Sequence, residues 1–341
     1  MKIALLGLPQ AGKKTLFALL TGREVPPSRK PEESVEGIAT IYDSRVDALA
    51  EICEPEKKVY AENNFVLCPD VVEGTRAWLD AARRCDLLCL VVRDFADEGV
   101  FHPAGSIDAA RDLETVKGEL LLADMEIAEK RLERMEKEKR AGLSASAKVE
   151  FQALEKCMKA LESEQRLDSV ELDAHEGAAI RSLEFVSDLP VLPVYNVAES
   201  ALTAAPQDGG VSVSCLIEQE IMGMDDPGER RLFLQDLGLE SSGVDRVNVA
   251  AYEAQGLLSF YTTGKDEVRA WTVRRGSAAP VAGGKIHSDI ERGFIRVEII
   301  KYDHFISEGS EKAAKDAGRM QLKGKDYVIE DGDTCHFLFN V

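Results

Sequence analysis

The chain has 341 residues, is 45% hydrophobic and 30% charged, and carries a formal net charge of −19. That length accommodates two or three domains with cores of their own, and the acidic balance excludes a protein that coats nucleic acid wholesale. Seven cysteines contain no C-x-x-C pair and five histidines show no metal spacing, so the cysteines read as reduced, buried side chains. The apolar run after Met1-Lys2 stops at Gly7, too soon for a secretory leader, and the run at 87–92 is far short of a membrane span. The expectation is a cytoplasmic protein with no membrane partner.

In chain order, Ile3-Ala4-Leu5-Leu6 reads as a buried strand, and the apolar-periodic stretch 16–20 as a helix. Between them lies Gly7-Leu8-Pro9-Gln10-Ala11-Gly12-Lys13-Lys14-Thr15. Strand, glycine-bounded loop and helix start, in that order, form a phosphate-binding loop: backbone N–H groups converge on one anion and Lys13 reaches the terminal phosphates. The candidate phosphate-binding residues are Gly7, Gln10, Ala11, Gly12, Lys13, Lys14 and Thr15. In the usual pattern a Ser or Thr follows the lysine and its hydroxyl binds magnesium. Here Lys14 takes that place and Thr15, the candidate metal ligand, comes one residue late. Phosphate binding is therefore expected, and metal-assisted hydrolysis is not.

The stretch 21–35 is polar and proline-rich, a loop that would lie over the phosphates. A strand over 37–42, a helix over 43–53 and a short strand over 64–68 follow. After that strand a P-loop nucleotidase carries Asp-x-x-Gly, whose aspartate holds the metal's water and whose glycine senses the terminal phosphate; the pattern is missing. Residues 86–92 form a near-continuous apolar run, as in a buried parallel strand.

From about 113 to 172 the texture changes. Leu121, Met125, Ala128, Leu132 and Met135 recur at 4-3-4-3 spacing, and Phe151, Leu154, Met158 and Leu161 repeat the pattern beyond a break at 142–146. This is an antiparallel, coiled-coil-like helical hairpin, and its run of interleaved charges from Glu126 to Arg140 reads as a solvated face. The parallel sheet resumes at 189–195 and runs into Asn196-Val197-Ala198-Glu199. Guanine-specific P-loop proteins carry Asn-Lys-x-Asp after this strand. With Glu199 one methylene longer than aspartate and Val197 in place of lysine, the motif favours an adenine or a relaxed base choice, ATP ahead of GTP, with Asn196, Val197 and Glu199 as candidate base contacts.

The excess acid lies entirely in the first 255 residues, because 256–341 holds 13 Lys+Arg against 13 Asp+Glu. Any RNA contact should fall there. This segment contains Gly256-Leu257-Leu258-Ser259-Phe260-Tyr261-Thr262-Thr263-Gly264, Glu267-Val268-Arg269-Ala270-Trp271-Thr272, Ile286-His287-Ser288-Asp289-Ile290-Glu291-Arg292-Gly293-Phe294 and Gly324-Lys325-Asp326-Tyr327-Val328-Ile329-Glu330-Asp331-Gly332-Asp333. Those strings closely resemble the TGS domain of the YchF / Obg-like ATPase family, a branch of the Obg-related P-loop GTPases.

The resemblance implies an α/β fold: a P-loop G domain with a mostly parallel sheet at 1–105 and 183–255, an inserted helical hairpin at 106–182, and a C-terminal β-grasp TGS domain at 256–341. The β-grasp helix is expected at 310–317. It also implies ATP or GTP as ligand, slow hydrolysis at most, and the ribosome or structured RNA as partner, with no DNA. Arg269, Arg274, Arg275, Lys285, Arg292 and Arg296 are then candidates for phosphate contacts, and Trp271 and Phe294 for base stacking. Departures from the family cluster at metal-linked positions: Lys14 stands for its serine, the first switch is shortened around Ser34, and Asp-x-Ala-Gly becomes Leu67-Cys68-Pro69-Asp70. Two other readings remain open: a nucleotide-free scaffold, and a slow nucleoside triphosphatase whose metal is recruited by Thr15 or Asp70.

Overall fold

The computed structural model describes residues 1–139, 142–206 and 208–340. In chain order β1 (Lys2–Leu6) leads into α1 (Lys13–Thr21), followed by β2 (Val35–Ile41), α2 (Ser44–Cys53), β3 (Lys57–Val59), β4 (Ala61–Leu67), α3 (Leu79–Ala82) and β5 (Leu87–Asp94). Two long helices, α4 (Ala109–Lys139) and α5 (Ala145–Glu162), precede α6 (Ala174–Ile180), β6 (Val191–Val197), β7 (Val211–Val213), α7 (Cys215–Gly223), α8 (Pro227–Asp236) and α9 (Gly243–Ala254). The C-terminal part adds β8 (Leu257–Thr263), β9 (Glu267–Arg274), α10 (Ala279–Ile286), α11 (Ser288–Arg292), β10 (Phe294–Lys301), α12 (Tyr302–Glu308), α13 (Glu311–Asp316), β11 (Gln321–Lys323) and β12 (Asp333–Phe339).

Two compact units result, Met1–Ala39 with Asn64–Ala251 and Thr40–Asn63 with Tyr252–Val341. The expected G domain at 1–105 includes 40–63. The contacts of 40–63 lie instead with the C-terminal segment: β3 pairs in parallel with β9, and Val46 and Leu49 of α2 join the buried cluster of Tyr261, Val268 and Phe305.

The first unit is an α/β structure. Its sheet runs β2-β4-β1-β5-β6-β7, and the pairings from β4 through β7 are parallel. Strands β1 and β5 are apolar almost throughout because both faces are covered, which the continuous hydrophobic runs require. In such sheets ligands bind beyond the carboxyl ends of the strands. The loop after β1, the segment after β4 and the end of β6 all lie on that edge.

The first turns of α4 pack Leu113, Val116, Leu120 and Ala123 onto this sheet. Beyond them all nine expected apolar residues of the hairpin meet in a separate cluster, where α4 and α5 pair and Arg131 bonds Glu150 through two contacts of 2.6 and 2.8 Å. Of the charged run, Arg140 lies outside the described residues. Buried Asp124 ties α4 to the turn before β6, accepting from the Val186 N–H at 3.0 Å, the Ser187 N–H at 2.7 Å and the Ser187 hydroxyl at 2.6 Å.

The second unit has a mixed sheet, β11-β10-β12-β8-β9-β3. Strand β8 is buried on both sides: Leu258 and Phe260 join Val273, Phe294 and Phe337, whereas Leu257 and Tyr261 join Val268 and Phe305. The helix anticipated at 310–317 is α13, capped by Ser310, and its Ala314 packs on the Tyr261 side. The other face is covered by Ala279 and Ala282 of α10, a helix the sequence reading did not single out because its Gly-Gly step and proline suppress any helical signal.

Candidate functional site

The glycine-bounded loop adopts a conformation that only glycine allows at both ends. Gly7 has φ of 152°, and a Cβ there would sit 2.2 Å from the Val91 carbonyl oxygen. Gly12, the N-cap of α1, has φ of 96°, and its Cβ would sit 2.2 Å from Asn196 Nδ2. The loop backbone therefore lies closer to β5 and β6 than a residue with a side chain could at either position. Between the glycines Gln10 is exposed with φ of 62°, and Ala11 is buried.

Lys13 is only 3% exposed although it is charged. Its ammonium turns back under the loop and donates to the carbonyls of Gly7 at 2.8 Å and Leu8 at 2.6 Å, and to the Asp70 carboxylate at 2.8 Å. Burial pulls its pKa below the ordinary lysine value, and the charge and hydrogen bond of Asp70 oppose that shift. Asp70 occupies the position of the glycine in the family's Asp-x-Ala-Gly. The sequence reading registered what that position lacks; the reach of the new side chain to Lys13 was the missed feature.

Lys14 and Thr15 are placed differently. Two residues along an α-helix is about 200° of rotation, so Thr15 faces away from Lys13. Both line an open groove of about 620 Å³ with Ala18, Leu19, Gln219 and Met222, and Lys14 is exposed. The donor set does not suit magnesium: the position following Lys13 presents an ammonium with no lone pair to offer. Among the described residues no group of three or more His, Cys, Asp or Glu is arranged to hold a metal.

The expected base motif divides between two faces of β6. Asn196, 4% exposed, donates through Nδ2 to the Ala11 carbonyl at 3.2 Å and accepts through Oδ1 from the Cys215 N–H at 3.1 Å. It braces the loop against the start of α7. Val197 points the other way, into a cluster with Leu202, Ile217 and Leu239, as alternation along a strand dictates. Glu199 is exposed in a short turn over Glu199–Ala201.

In the C-terminal unit Phe294 is 5% exposed and packs edge-on against Phe337 at 6.3 Å, so it is core and not a stacking platform. Trp271 is half-buried, with Nε1 donating to the Thr262 hydroxyl and Arg269 lying 4.2 Å over its ring. Arg274, Arg275, Lys285, Arg292 and Arg296 are exposed; Arg292 is paired with Asp289 at 2.6 Å. Among the described residues no helix is long and apolar enough to cross a membrane.

The family profile of the YchF GTPase C-terminal region, described as "Protein of unknown function (DUF933)", matches residues 257–340. Over the whole chain the sequence is similar to the "Ribosome-binding ATPase YchF" of Haemophilus ducreyi, 39% identical across 100% of this chain and 99% of that protein. The proteins of the same name from Escherichia coli O157:H7 and Bacillus subtilis are 37% and 36% identical, with at least 98% of each covered. The Haemophilus alignment extends over 362 positions, so the relative carries positions with no counterpart here. Among solved structures, the Schizosaccharomyces pombe YchF GTPase superposes with a TM-score of 0.82 at 29% identity, covering 99% of this chain and 97% of its own.

Proposed function

The chain belongs to the YchF family, and from that premise we propose that it binds a purine nucleotide through the Gly7–Thr15 loop and acts as a ribosome- or RNA-associated regulator. The observation that carries this reading is the buried Lys13 ammonium beneath a loop bounded by two obligatory glycines, at the carboxyl edge of a parallel sheet. A nucleotide bound there would supply a polyphosphate anion. The loop N–H groups and Lys13 would hold it, and Asn196 would keep the loop in shape. Adenine is favoured over guanine, because Val197 is turned into the core and Glu199 is longer than the aspartate that pairs with guanine. The residues present do not suit magnesium, and weak or absent hydrolysis is the expectation.

The domain organisation proposed is a G domain at 1–39, 64–105 and 183–251, an inserted coiled-coil-like hairpin at 106–182 and a TGS-type β-grasp domain at 252–341 that also takes in 40–63, in a cytoplasmic protein. What supports the partner assignment is that the relatives are known as ribosome-binding ATPases, together with the exposed arginines of β9 and β10 and their flanking turns. Co-sedimentation with purified ribosomes, with and without ATP or ADP, tests it. Pelleting that responds to nucleotide supports a regulator, and pelleting indifferent to nucleotide supports the scaffold reading. Phosphate release that requires magnesium and disappears in Lys13→Ala would establish a true triphosphatase instead.

A further inference from the structure

The Lys13 ammonium has three N–H donors, and all three are engaged inside the protein: Gly7 O at 2.8 Å, Leu8 O at 2.6 Å and Asp70 Oδ1 at 2.8 Å. The two carbonyls belong to the loop itself and orient the side chain. The remaining donor is the one a phosphate-loop lysine directs at the terminal phosphates, and here a carboxylate takes it.

Asp70 is held in that position by its own backbone. The Cys68 N–H donates to the Leu5 carbonyl at 3.3 Å and the Val71 N–H to the Gly7 carbonyl at 3.0 Å, which fixes the segment on either side of Pro69-Asp70 to β1 and to the first glycine of the loop. Gly7 O thus accepts from both Val71 and Lys13. Nearby Arg29, from the segment between α1 and β2, directs Nη2 at the Leu67 carbonyl at 3.5 Å and lies in the field of the same carboxylate. The Asp70 side chain is 46% exposed, so it reaches the loop from the open side, where a ligand would enter.

We propose that the Asp70 carboxylate is an internal stand-in for the terminal phosphate of a nucleoside triphosphate, and that the loop therefore takes a nucleoside diphosphate in preference to the triphosphate. The inference rests on the reading that this loop binds nucleotide phosphates at all. The inner phosphates are held mainly by backbone N–H groups of the loop and the start of α1, which Asp70 leaves untouched. A third phosphate depends on the lysine and on a metal ion. It meets a lysine already paired, a carboxylate of its own sign, and Lys14 where the metal's hydroxyl ligand would stand. The same substitution that removed the family's phosphate-sensing glycine thus installs the group that replaces what the glycine sensed.

The test is calorimetric titration of ADP and ATP into the full chain as wild type, Asp70→Gly and Asp70→Asn, with thermal melting to show that all three are folded. Wild type should bind ADP at least tenfold more tightly than ATP. Both variants should gain at least tenfold in ATP affinity while ADP affinity changes less than threefold. A wild type that binds neither nucleotide beside variants that bind ATP overturns the proposal, because Asp70 would then block the inner phosphates as well. Equal affinities of wild type for ADP and ATP, or variants whose ATP affinity stays within threefold of wild type, overturn it. Absence of binding in all three proteins overturns the phosphate-loop reading itself, and the inference with it.

Discussion

Gly12 and Asn196, 184 positions apart, approach so closely that a Cβ on the glycine would stand 2.2 Å from the asparagine Nδ2. The asparagine in turn bonds the carbonyl of the residue before that glycine, so the end of β6 and the loop after β1 lock as one piece. Replacing Gly12 by alanine adds both a clash with a buried amide and a strained φ of 96°. The expected result is a loss of about 2–3 kcal/mol in unfolding free energy, from the size of such strain and overpacking terms, together with loss of nucleotide binding. Urea denaturation and nucleotide titration of Gly12→Ala check both; a variant as stable as wild type would show that the loop is free of its brace.

The attachment of α4 to the turn before β6 depends on a buried carboxylate in the same way. Asp124 satisfies three donors of Val186 and Ser187 and is 0% exposed. Asp124→Ala leaves all three without a partner, and the expected cost is about 3 kcal/mol. Unfolding midpoints by circular dichroism measure it, and a change under about 0.5 kcal/mol would contradict the assigned role.

Much of this was readable in advance where the signal is local. The strand, loop and helix start around Lys13 are adjacent in sequence, and the spacing from Leu121 to Leu161 states which faces of α4 and α5 must meet. What escaped reading depends on distant partners. Nothing near Asn196 says that its amide will join the Ala11 carbonyl to the Cys215 N–H, and motif comparison at 67–70 reports only which residues are gone. The strand at 57–59 is three residues long and acquires its place only by pairing with β9, more than 200 positions away.

Acid should act on the second unit through Asp43. Its carboxylate caps α2 through the Arg45 N–H at 3.0 Å, bonds the Arg45 guanidinium and accepts from the Tyr261 hydroxyl at 2.6 Å. Burial pushes its pKa up, but the hydrogen bonds from Arg45 and Tyr261 and the Arg45 charge outweigh that, and the pKa lies below the usual 3.8. A depressed carboxyl pKa contributes stability that is fully present above the unfolded value and is lost as pH falls through the folded one. The advantage of wild type over Asp43→Asn, about 2 kcal/mol at neutral pH, should therefore be constant from pH 7 to 5 and shrink below about pH 3.8. Denaturation of both proteins across that range tests it; an advantage that already shrinks between pH 7 and 5 would contradict the assignment.

Phe294 and Arg275 separate core from surface in the C-terminal unit. Phe294→Ala should destabilise by about 3–5 kcal/mol, as for a buried aromatic. Exposed Arg275→Ala should leave stability within about 0.5 kcal/mol and weaken ribosome association, with a shallower salt dependence. Sedimentation at graded salt, run beside thermal melts, distinguishes the two. Unchanged association in Arg275→Ala would remove this residue from the RNA-facing set.

The Gly7–Thr15 loop binds a nucleotide only while Lys13 pins the Gly7 and Leu8 carbonyls and balances the Asp70 charge, which would otherwise repel the phosphates. The most direct measurement is calorimetric titration of ADP, ATP and GTP, each with and without magnesium, into wild type and Lys13→Ala. The account predicts adenine-nucleotide binding that is insensitive to magnesium and is lost in the variant. Binding that persists in Lys13→Ala, or no binding in the wild type, would contradict it.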